Sequence, residues 1–224
     1  ASLGLTSLQL ANAVDSIEQR LFERALAEDS MLVRWRIALP FVRGVSDSAL
    51  RAFGELRARW SGPYLRTGIA KGMLDGTVDA GTAAMLAPYA TGDGAGLPRW
   101  TAADLEAAVT RYDSAGIQVE LHAIGDRAIR MALDAFEAAA AANGPRDRRH
   151  RVEHVETVDE ADAPRFARLG VVAAMQPLHA SPDENLDSVW ARNLGPERAA
   201  RGFAWRLIES QGGRLAFGSD WPVV

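Results

Sequence analysis

Among its 224 residues this chain holds a single lysine, Lys71, in the stretch GIAKGMLDG; the other 24 of its 25 basic residues are arginines. Lysine can lose its proton and become a nucleophile, which arginine cannot. A buried ammonium is costly unless it is paired or neutralised. A free amine at Lys71 could form a Schiff base with a carbonyl compound. It could also take up carbon dioxide to become a carbamate, a carboxylate on a long arm able to bridge two metal ions. Three further residues close apolar runs: His122 in QVELHAI (118–124), His154 in HRVEHV (150–155) and Asp220 in RLAFGSD (214–220); His179 follows AAMQP. Two imidazoles and a carboxylate are good ligands for a divalent ion such as zinc.

The same residues admit plainer roles. One lysine can survive by chance in an arginine-biased chain, and a single buried histidine is usually a packed core residue. Asp126 and Arg127, at the head of a helical stretch, need do no more than cap it. His150 opens its strand at the opposite rim and reads as structural. The tryptophans read as packing, with Trp221, beside Asp220, able to line a pocket. Two histidines and an aspartate at the ends of three different strands weigh toward a metal.

Those positions require strands that converge. LVRWRIALPF (32–41), GIAKGML (68–74), QVELHAI (118–124), HRVEHV (150–155), GVVAAMQP (170–177) and RLAFGSD (214–220) read as strands. Helical periodicity fills the intervals: Leu5–Glu28, Ser46–Trp60, Thr101–Ala115, Asp126–Asn143, Glu160–Leu169 and Pro196–Ser210. Buried strands alternating with helices argue for parallel βαβ units. No glycine-rich phosphate loop follows any strand, which favours a (β/α) barrel over a nucleotide-binding sheet. His122 and His154 lie 32 residues apart, one βαβ repeat, and His154 and Asp220 lie 66 apart, room for two. Alternation along the strands puts Glu120 with His122, Val152 with His154 and Gly218 with Asp220. The segment Asp75–Arg99, rich in Gly, Ala and Thr, follows a strand end, where a barrel keeps its active-site loops.

Composition narrows the partners. The net charge of −4 comes with interspersed signs and no basic stripe, which argues against nucleic acid. No apolar run approaches a membrane span, and no N-terminal stretch has signal-peptide character, favouring the cytoplasm. The absence of cysteine removes disulfides and thiolate ligands. The chain reads as one domain over residues 1–224, with a small-molecule substrate and room for a homo-oligomer.

GIAKGMLDG followed by GTAAMLAPY, then VELHAIGDRAI, RHRVEHVE, RFARLGVVAAMQPLHA and LAFGSDWPV, together resemble the YtcJ-like, amidohydrolase-3 branch of the amidohydrolase superfamily over about residues 60 to 223. The resemblance implies an α/β, (β/α)8 TIM-type barrel carrying a metal-dependent hydrolase of non-peptide C–N bonds, with one or two divalent ions. It implies that Lys71 is the carboxylated bridging ligand and that His122 and His154 hold one metal. Asp220 would touch the other metal and accept a proton. His179, and with it Arg127, would orient substrate. Family members open with a small β-sandwich and a first strand ending in His-x-His, yet no histidine precedes His122 here. With 32–41 as strand three, the chain reads as an incomplete barrel of strands three to eight, lacking the sandwich and first strands, with open edges. A Schiff-base lyase using Lys71 and a non-catalytic barrel fragment are the alternatives.

Overall fold

The computed structural model describes residues 2–12, 14–92, 94–180 and 188–223; residues 13 and 93, which fall within the 5–28 helix and the 75–99 loop read from the sequence, lie outside it. Seven strands form one sheet: β1 (Ser7–Leu10), β2 (Arg34–Pro40), β3 (Leu65–Met73), β4 (Gln118–Ala123), β5 (Arg151–His154), β6 (Val172–Met175) and β7 (Arg214–Phe217). All neighbours pair in parallel, and the order in the sheet is the order in the chain. The helices between them are α1 (Ser16–Ala27), α2 (Asp47–Arg59), α3 (Ala102–Ser114), α4 (Asp126–Asn143) and α5 (Ala163–Leu169), then short α6 (Val189–Leu194), α7 (Pro196–Ala199) and α8 (Trp205–Ser210). The result is an incomplete TIM-type barrel, curled but unclosed: no pairing joins β1 to β7 among the described residues.

The strand count differs from the sequence reading by one. Residues 5–28 do not form a single helix; SLQL becomes β1, and α1 starts only at Ser16. The start is fixed by a capping box, in which Asp15 accepts from the N–H groups of Ile17 and Glu18 while Glu18 accepts from that of Asp15. Ser46 and Thr101 cap α2 and α3 through their hydroxyls, and Gly170, with φ +65°, ends α5 in the left-handed region. Residues 160–169 are helical only from Ala163, behind Pro164. The 196–210 stretch splits into α7 and α8 at a turn where Phe203 has φ +52° and Gly202 lies against Trp190, a Cβ there standing 2.1 Å from the indole Cη2.

The main core lies between sheet and helices. Leu121, Val152 and Ala173, adjacent in register, point into it together with Leu105, Val109, Ile129, Leu133 and Phe136. On α4, Ala128, Ala132, Ala135 and Ala139 are fully buried, so small side chains let this helix sit close. The opposite, inward-facing rank is polar: Lys71, Glu120 and Arg151 are consecutive register partners on β3, β4 and β5, and His122 is partnered by Glu153. Gln9 of β1 reaches this rank, donating to Glu120 and accepting from Arg151 Nη1 at 2.6 Å.

Candidate functional site

The loop 75–99 is held down before any chemistry is arranged. Fully buried Asp75 accepts from the N–H groups of Ala84 (2.9 Å), Ile124 (3.1 Å) and Gly125 (2.8 Å), tying the loop to the junction of β4 and α4. The loop packs so tightly there that a Cβ on Gly125 would meet Ala84 O at 2.1 Å. Gly125, not Asp126, is the N-cap of α4; Asp126 Oδ1 instead accepts from Leu86 N–H at 2.7 Å. Val78, Ala83, Met85 and Tyr89 form a second small core with Ile124, Trp190 and Leu194.

On this platform His122, near the end of β4, directs Nε2 to Gly76 O at 3.2 Å and lies 3.4 Å from Asp75 Oδ1. His154 reaches the same space by an unexpected route. Alternation puts it on the helix side with Val152, since Arg151 and Glu153 take the inward positions. The backbone at His154 and Val155 is left-handed, with φ +77° and +49°, and this redirects the ring. The two imidazoles then meet edge-on, 4.5 Å between centroids, and His179 stacks at 6.2 Å from His154. His179 belongs to a 3-10 turn, Pro177–Ala180, and its buried Nε2 meets no hydrogen-bond partner among the described residues.

Burial sets the charge states. It pushes His122 down to about 4 and His154 to about 2, with the Lys71 charge adding to both effects. Both rings are therefore neutral at pH 7, and the approach of His122 to Asp75 is a polar contact rather than an ion pair. Burial raises Asp75 to about 6 and also raises Asp220, where His179 and Lys71 pull the other way. Asp220 itself is half-buried, three residues past β7, with φ +56°. Lys71 Nζ stands 3.7 Å from Glu120 Oε1, which is buried and has no hydrogen-bond partner among the described residues. Burial and the neighbouring Glu153 hold the Glu120 carboxyl above its ordinary range.

The donor set fits a divalent cation. With Nε2 of His122 committed to Gly76, Nδ1 is the ring atom left over; with Nδ1 of His154 committed to Gln176 Oε1 at 2.8 Å, Nε2 is left over. Among the described residues, the one grouping of three His, Asp or Glu donors close enough to share an ion is His154, Glu156 and His179, each with one donor atom within 4.8 Å of the others; His122 and Asp220 are not part of it. Glu156 Oε2 accepts from Trp190 Nε1 at 2.7 Å, and burial raises its carboxyl to about 7.

Arg127 stands apart. Its side chain is exposed on the first turn of α4, and the fold uses its backbone N–H, which donates to Ala84 O and Asp126 Oδ1. Trp221 is exposed as well. His150 is buried at the strand starts, accepting from Val119 N–H, donating to Asp113 and stacking on Phe136. Sequence reasoning missed Asp75, Glu156 and Gln176. Each lies within four residues of a residue it did single out, on the segment that follows a strand end.

A family model described as the amidohydrolase family matches residues 1–224. Protein LONG AFTER FAR-RED 3 of Arabidopsis thaliana is 38% identical over 173 residues, 76% of this chain and 28% of that protein. "Putative amidohydrolase YtcJ" of Bacillus subtilis is 31% identical over 210 residues, 93% of this chain and 37% of that one. The chain thus spans about a third of the length of these curated relatives. Among solved structures, an uncharacterized metal-dependent hydrolase from Pyrococcus furiosus superposes with a TM-score of 0.81 at 26% identity, over 99% of this chain and 44% of that chain.

Proposed function

Because the chain belongs to the amidohydrolase family, we propose that it supplies most of a metal-dependent hydrolytic centre acting on non-peptide C–N bonds of small amides or imides. His122 through Nδ1, His154 through Nε2, Asp220 and Lys71 hold a divalent ion, zinc by the nature of the donors. The observation that carries this reading is the imidazole pair: two buried, neutral rings 4.5 Å apart, each with one nitrogen tied by the protein and the other in no hydrogen bond among the described residues. A bound ion would supply Lewis acidity, lowering the pKa of a water from 15.7 toward about 7 and polarising the scissile carbonyl.

The chain's own residues do the rest. A carboxylate oxygen of Asp220 takes the proton from the attacking water and returns it to the leaving nitrogen, a role suited to a carboxyl whose pKa is raised by burial. His179, whose buried Nε2 has no hydrogen-bond partner among the described residues and whose ring stacks on His154, orients the substrate. Lys71 serves as the carboxylated ligand: its ammonium, 3.7 Å from Glu120 Oε1, gives up a proton, and the free amine adds to dissolved carbon dioxide with release of a second proton, leaving a carbamate that turns away from Glu120.

Isothermal titration of zinc into the metal-free chain tests the reading. Wild type binds zinc, and His122→Ala and His154→Ala each weaken binding by tenfold or more. Wild-type protein that binds no zinc, or variants that bind it equally well, would sink the assignment. A substrate trapped on Lys71 by borohydride would replace it with Schiff-base chemistry.

A further inference from the structure

Gln176, the residue after β6, is buried between Glu153 and His154. One end of its amide lies 3.3 Å from Glu153 Oε2 and the other 2.8 Å from His154 Nδ1. Carboxylate oxygens accept and do not donate, so the end facing Glu153 is the NH2 group. The Oε1 end is then the one facing His154, and it too can only accept. His154 must therefore carry its proton on Nδ1, and in a neutral ring that leaves the lone pair on Nε2. Glu153 is held in turn by the Arg151 guanidinium on its other oxygen, and Arg151 by Gln9 of β1. The chain Gln9–Arg151–Glu153–Gln176–His154 runs across the barrel interior, each partner leaving the next a single orientation.

We propose that Gln176 is a positioning residue for the metal centre: anchored by Glu153, its amide selects the Nδ1–H tautomer of His154 and aims the Nε2 lone pair at the cation. The inference rests on the reading of His154 as a ligand and adds what sets the ring's protonation and direction. His122 is held by other groups, its Nε2 facing Gly76 O at 3.2 Å and Asp75 Oδ1 at 3.4 Å, so it serves as the ring insensitive to substitution at residue 176.

Two measurements on the whole chain test it. Nitrogen-15 NMR of the histidine rings in metal-free wild type is expected to find His154 as the Nδ1–H tautomer; finding it as Nε2–H overturns the proposal without any variant. In Gln176→Leu, His154 leaves that tautomer while His122 keeps its own, and zinc affinity falls by about 10–100-fold, the range for removing such supporting partners. A Gln176→Leu protein with His154 unchanged, or with zinc affinity within about twofold of wild type, overturns the proposal. Failure of wild type to bind zinc refutes the underlying site; wild type that binds zinc with Gln176→Leu unaffected refutes the positioning role alone.

Discussion

Glu156 carries a pH signature that isolates one side chain. Burial raises its carboxyl to about 7, against an ordinary value of 4.5, so the folded chain holds this proton more tightly than the unfolded chain does. Its contribution to stability is full below pH 4.5 and is lost as pH rises toward 7. Glu156→Gln keeps the acceptor for Trp190 Nε1 and removes the ionisation. Denaturant unfolding at pH 4.5 and pH 8 should give a wild-type-minus-variant difference that changes by about 2–3 kcal/mol across this window, in the variant's favour at high pH. A difference independent of pH would refute it. The ligand candidates themselves were legible in sequence because chemistry at strand ends shows as single polar residues closing apolar runs. The route by which His154 reaches the site was not, because a left-handed turn at His and Val overrides alternation and leaves no compositional trace.

At the level of elements, Asp75 is the tie between the 75–99 loop and α4. Removing its carboxylate in Asp75→Ala strands three buried N–H groups, those of Ala84, Ile124 and Gly125. The expected loss is about 3 kcal/mol in urea unfolding, less than three full penalties because the deleted carboxylate is itself poorly solvated. Hydrogen exchange should accelerate at Ala84 and Gly125 before the sheet opens, and a variant as stable as wild type would contradict the tie. Strands β2 to β7 were readable because most are apolar runs bounded by turn residues, and β5, RVEH, stood out by alternation and by its one-repeat spacing from β4. β1 was not: SLQL is four residues with a polar Gln9 turned into the barrel, and the helical residues after it extended the wrong period backward. The Asp15 and Glu18 pair, three apart, was the available signal for where α1 begins. In 196–210, Gly202 was the matching signal for a break.

For the whole molecule, the outer edges of β1 and β7, unpaired among the described residues, are the dominant feature. Phe217 on β7 is 58% exposed, and Trp221 and Val223 beyond it are 80% and 70% exposed. Unprotected edges with apolar neighbours recruit other chains. Sedimentation velocity should reveal concentration-dependent association of this 224-residue chain, reduced by Phe217→Lys; a monomer at all concentrations would contradict that. The barrel class was legible from the βα rhythm, whereas its openness depends on which strands meet in space. The agreement between strand order in the sheet and strand order in the chain has its own effect on how the molecule is made. As the polypeptide emerges from the ribosome, each strand finds its docking neighbour already laid down, so the sheet grows outward by accretion and no strand waits for a distant one. Assembly in that sense is vectorial, each strand from β2 to β7 laid against the one synthesised before it.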